Sequence, residues 1–138
     1  MKKIIISVLL VFAVITLVIV FCCIKKEYNI NETAKINNIS IKLIKIEKIN
    51  NSLQITFNIK NNQKGTFTIN PDKNFKFYDK ETALVNTYMS NNNTIKKDSE
   101  QTYTLQYEYK EEQKLYTIYF YESSNSSIKF VFTNQDIR

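Results

Sequence analysis

The 138 residues contain no histidine and no tryptophan, one glycine, one proline and two cysteines. Without histidine there is no Ser-His-Asp or Cys-His relay and no imidazole for proton transfer near neutral pH, and most zinc ligand sets are excluded. Both cysteines, Cys22 and Cys23, lie in an N-terminal apolar run. The rest of the chain therefore has no thiolate and no disulfide, and an apolar core must hold it together. A single glycine, Gly65, cannot form a phosphate cradle. Turns fall instead to Asn, Asp and Ser, which tolerate left-handed backbone and bond locally. Arginine is equally scarce, with Arg138 the only one. The formal charge is +6, of which Lys2 and Lys3 supply two. The remainder is spread thinly rather than gathered into a run, so no nucleic-acid partner is expected. Most lysines alternate with apolar residues, the pattern of a solvated sheet face, with weak attraction to anionic wall polymers or lipid headgroups as the alternative.

What is present begins with Ile4 to Ile24, IIISVLLVFAVITLVIVFCCI, which is apolar apart from Ser7 and Thr16. As a helix it would be about 31 Å long, the thickness of a bilayer's hydrocarbon core. Residues 1–26 read as an N-terminal signal-anchor, one transmembrane helix that is not cleaved. A cleaved signal has a shorter apolar core and a small-x-small site, which is missing before Lys25. Lipid attachment at Cys22 or Cys23 is the alternative, although Phe21 stands where a lipoprotein signal has a small residue. Lys2, Lys3 and the α-amine favour an N-terminus inside, since Glu27 and Glu32 soon follow Lys25 and Lys26. The expected localisation is thus the cell membrane, single-pass, with the C-terminal domain outside the cytoplasm.

Residues 27–37 are polar and read as a tether with a brief strand near Thr33 to Ile36, and 38–138 as one domain. Ile39, Ile41 and Leu43 alternate with Ser40 and Lys42, then the phase slips at Leu43-Ile44, which predicts a β-bulge. Leu53, Ile55, Phe57 and Ile59 alternate with polar residues and pair with 39–49 as a hairpin. Phe67 and Ile69 mark a strand stopped at Pro71, Phe75 to Tyr78 another, and 83–89 a further edge strand. Tyr103, Leu105, Tyr107 and Tyr109 alternate again, Leu115 to Tyr121 is apolar on both parities and so central, and Ile128, Phe130 and Phe132 close the chain. Seven or eight short strands with polar turns predict an all-β protein, an antiparallel β-sandwich, with a partly closed barrel as the alternative.

The order of these features, with ITFNIKNN, FKFYD, TYTLQYEY and LYTIYFY in sequence, resembles an immunoglobulin-like domain family of unknown function. That family occurs in small exported proteins and lipoproteins of Gram-positive bacteria and is similar in fold to a small secreted mycobacterial antigen. The resemblance covers nearly all of the chain after the anchor and implies an immunoglobulin-like sandwich. It carries over no catalytic residue. The family has a glycine before its seventh strand, where this chain has Asp98-Ser99.

Carboxylates are the remaining catalytic candidates. Glu108, Glu111 and Glu112 crowd one hairpin tip between lysines and read as solvated turn residues rather than a glycosidase pair. Asp72, Asn74, Asp79 and Glu81 match no calcium-loop spacing. No metal, cofactor or catalytic residue is expected. The site-like signal is aromatic: if Tyr116, Ile118 and Phe120 fill the core, Tyr119 and Tyr121 stand outside, either docking a partner or stacking on a sugar, or else as cross-strand partners or residues under a loop. The sequence therefore points to a non-catalytic, membrane-anchored binding module of a bacterial cell envelope. Its expected partners are the membrane and an envelope protein or wall polymer. A pilin-like structural subunit is the alternative, against which MKKIIISVLL lacks the processing motif. Intact mass of the protein from its own membranes tests the anchor: an unmodified chain from Met1 is expected, whereas a chain starting at Cys22 or Cys23 with added acyl mass makes it a lipoprotein.

Overall fold

A computed structural model describes residues 27–79, 82–84, 86–90, 92–109 and 115–138. The expected anchor, with Cys22 and Cys23, lies outside the described residues, as do Glu81, Glu111 and Glu112. No helix among the described residues is long and apolar enough to cross a membrane. The strands are β1 (Glu27–Tyr28), β2 (Thr33–Ile36), β3 (Ile39–Ile49), β4 (Ser52–Asn61), β5 (Phe67–Thr68) and β6 (Phe75–Asp79). They continue as β7 (Thr82–Leu84), β8 (Asn86–Ser90), β9 (Thr94–Ile95), β10 (Ser99–Glu108), β11 (Leu115–Ser123) and β12 (Ser126–Thr133). One short helix, α1, spans Pro71–Asn74, and a 3-10 turn covers Asn134–Asp136.

The strands form a β-sandwich. The first sheet runs β1-β12-β11-β6-β7, the second β2-β3-β4-β10-β8, and β5 pairs separately with β9. Alternation decides which side faces in. On β4, Leu53, Ile55, Phe57 and Ile59 are fully buried, and on β11 Tyr116, Ile118 and Phe120 are. Rings meet across the sheets: Phe57 of the second lies 5.2 Å from Phe75 and 5.6 Å from Phe130 of the first. Phe77 lies 4.4 Å from Tyr107. The phase slip on β3 is a bulge, where register shifts between Leu43 and Lys45 and the next buried residue is Ile46.

Turn chemistry follows the shortage of glycine. Asn31, Asn37, Asn38, Asn50 and Asp98 all adopt positive φ, whereas Gly65 does not. Asp98, at φ 54°, sits where the resemblance calls for glycine, so aspartate takes the left-handed backbone there. α1 forms because Asn70 caps it, accepting from the Lys73 amide at 3.3 Å, and Pro71 suits the first helical position.

Four expectations change, the first being the strand number, which is twelve among the described residues against the seven or eight expected. Residues 27–37 are more than a tether: the strand expected near Thr33 to Ile36 is β2, paired with β3, but β1 also pairs with β12, and Ala34 is fully buried. The β1–β12 pair is parallel, so the sandwich is not wholly antiparallel. Residues 83–89 are not one strand, because β7 edges the first sheet and β8 the second. Splitting the stretch lets its two halves cap an edge of each sheet.

Burial, with the nearby Tyr103 and Asp72 as smaller influences, pushes the Tyr107 phenol well above its ordinary value of 10.0. The folded state therefore keeps a proton that the unfolded chain gives up above 10.0, so stability falls as pH rises past that point. Urea unfolding followed by tyrosine fluorescence is expected to show this alkaline decline, and Tyr107→Phe to flatten it; an unchanged slope in the variant contradicts the assignment.

Candidate functional site

The outer face of the first sheet is built on β11, its central strand. Because Tyr116, Ile118 and Phe120 point inward, Thr117, Tyr119 and Tyr121 point outward, where they are half-buried. β6 brings Tyr78 opposite Thr117 and Lys76 opposite Tyr119, and β12 brings Lys129 to the other side of Tyr119. Tyr78 and Tyr119 meet edge to face at 5.8 Å and 88°, and Tyr121 follows at 6.1 Å from Tyr119. Three phenols thus form one aromatic patch between two lysine stems.

Its electrostatics follow from this crowding. Partial burial and then the neighbouring Tyr78 and Tyr119 phenols push the Tyr121 phenol up. Lys129 bonds the Glu27 carboxylate of β1, and that bond raises the ammonium's pKa. The parallel strand β1 therefore fastens one margin of the patch.

Beyond Tyr121 the face opens into a groove of about 560 Å³ between α1 and the end of β11, lined by Tyr121, Glu122, Asn74, Asp72, Lys73 and Lys76. Asn74 holds α1 in place there, its amide donating to the Tyr121 carbonyl at 2.6 Å. Glu122 is committed elsewhere. Its carboxylate accepts from the Asn37 amide at 2.9 Å and the Gln63 amide at 3.2 Å, tying the first sheet to turns of the second. These two bonds make Glu122 a clamp between the sheets.

The structure thus brings Tyr119 and Tyr121 together on one outward face. Cys22 and Cys23, the candidate lipid-attachment residues, lie outside the described residues. Sequence reasoning missed Tyr78 and Lys76. The signal was available, since both have the parity opposite to Phe75 and Phe77, but FKFYD is too short for alternation to stand out. It also missed Asn61, which is fully buried and donates to the carbonyls of Gly65 at 2.8 Å and Ile95 at 3.0 Å while accepting from the backbone N–H of Gln63. Among the described residues no group of three or more Cys, Asp or Glu gathers as a metal site.

No protein-family model matches the chain, and no curated protein does. Solved structures do. The YjhA protein of Bacillus subtilis matches at a TM-score of 0.62 and 14% identity, over 75% of this chain and 97% of its own. An uncharacterized β-sandwich protein of Clostridium difficile 630 matches at 0.55 and 12% identity, over 80% and 95%. YcdA of Bacillus subtilis, a candidate lipoprotein, matches at 0.60 and 15% identity; the similarity spans 75% of this chain and only 39% of that one. At such identities the likeness concerns the fold, and that fold is a β-sandwich shared with proteins of Bacillus and Clostridium.

Proposed function

We propose that the protein is a non-catalytic binding module of a bacterial cell envelope, held at the membrane by residues 1–26 with its sandwich outside the cytoplasm. We read the sandwich as immunoglobulin-like, in line with the sequence resemblance. The observation that carries the proposal is the outward patch of Tyr78, Tyr119 and Tyr121. Tyrosines offer large rigid area at small entropic cost together with a hydroxyl to bond, which suits them to docking. The absence of histidine from the chain, and of cysteine after Cys23, favours binding over acid–base or nucleophilic catalysis. That one fold neighbour is described as a candidate lipoprotein agrees with an envelope address. The partner is an envelope protein or wall polymer that meets the aromatic patch and the adjoining groove.

Site-specific photocrosslinking in intact cells tests this. A photoreactive residue in place of Tyr119 is expected to capture a discrete envelope component, and the same residue in place of Thr104, on the outer face of the other sheet, is expected not to capture it. Equal capture at both positions, or none at 119, contradicts the docking role. Substrate turnover by the purified full chain contradicts the non-catalytic one.

A further inference from the structure

The outer face of the second sheet is built differently and carries a separate site. Its rows are set by strand register. Lys35, Ser40, Lys60 and Glu100 stand side by side across β2, β3, β4 and β10, and Thr33, Lys42, Asn58 and Thr102 form the next row. Lys42 is therefore diagonal to both Lys35 and Lys60, at about 7–8 Å between side-chain origins. Lys35 and Lys60 flank Ser40 across two strand spacings, about 10 Å. The three lysines surround a depression of about 450 Å³, whose floor includes Ser40, Asn58 and Thr33.

These lysines lack the compensation found nearby. On the same strand β3, Lys45 pairs with Glu47 at 2.7 Å and Lys48 lies over the Tyr109 ring at 4.1 Å. No carboxylate of a described residue forms an ion pair with Lys35, Lys42 or Lys60. Glu100 is next to Lys60 in register and lines the same depression, its carboxylate accepting from the Asn58 side-chain amide at 2.5 Å, so one carboxylate faces three lysines there. Asn62 donates to the Ser40 hydroxyl at 3.2 Å, which leaves that hydroxyl's own proton free to be donated outward. Lys42 is half-buried between Thr33 and Asn58, so its stem is packed while its ammonium projects into the depression. Three cations against one carboxylate, held within this span by a rigid sheet, leave a net positive charge, and an anion seated among the lysines offsets it.

We infer that this face binds a linear polyanion of phosphodiesters, one phosphate seated among Lys35, Lys42 and Lys60 beside the Ser40 hydroxyl. The cations are ammonium groups, point charges that suit a tetrahedral phosphate. A planar carboxylate is the natural partner of a guanidinium fork, which this face lacks. The concave shape admits a single chain better than the plane of a bilayer.

The experiment measures binding of the full-length protein in detergent to poly(glycerol phosphate), with polyglutamate and phosphatidylglycerol vesicles as competing probes. The phosphodiester chain is expected to bind in a salt-sensitive manner, and Lys35→Gln/Lys42→Gln/Lys60→Gln to weaken it by about tenfold or more. The charge-matched control Lys45→Gln/Lys48→Gln/Lys97→Gln is expected to stay within about twofold of the parent. Lys42→Glu alone gives a second readout at the central cation and is expected to lower affinity as well. No binding by the parent chain, equal loss in both triple variants, or preference for polyglutamate or for vesicles overturns the inference.

Discussion

Phe57, reaching from the second sheet to Phe75 and Phe130 of the first, marks the contact on which the molecule depends. No disulfide can join the sheets, because both cysteines precede the sandwich. Cohesion must come from burying one parity of side chains, and aromatic rings supply most of the large ones: Phe57, Phe77, Phe120 and Phe130 with Tyr103, Tyr107 and Tyr116. Offset and edge-on ring pairs add to the area term and fix how the sheets sit together. Asn61 completes this core at one end, its amide group holding the 63–65 turn and β9 where no apolar residue could satisfy the buried Ile95 carbonyl.

The same parity rule that fills the core decides what faces solvent. Each strand that contributes a ring inward contributes its neighbours outward, and the two sheets do so with different chemistry. The first displays Tyr78, Tyr119 and Tyr121. The second displays Lys35, Lys42 and Lys60 around a hollow. On the function proposed above, a two-layer body with unlike faces would suit contact with two kinds of partner, one through aromatic area and one through charge.

Legibility in the sequence followed the strength of the two-residue period. The 39–60 hairpin and its bulge were readable because a single slipped residue, at Leu43-Ile44, reverses a long and otherwise regular pattern. The inward set of β11 was readable once one parity was assigned to the core, which placed Tyr119 and Tyr121 outside. Shorter elements were not. β1 has two residues and pairs with a strand about a hundred positions away, so nothing local announces it. β7 and β8 belong to different sheets, a choice made by tertiary packing rather than by their own composition. Tyr78 was hidden by its neighbour Phe77, and the lysine cluster by the fact that its members come from three strands.

The central claim is that the tyrosine patch is occupied when the protein is at work. Site-resolved nitration by mass spectrometry, in native membranes and again after extraction, tests it most directly. The account predicts that Tyr119 and Tyr121 are shielded in membranes and reactive once extracted, with buried Tyr103, Tyr107 and Tyr116 unreactive in both states. Equal reactivity of Tyr119 and Tyr121 before and after extraction would mean that nothing covers the patch, and would contradict the account.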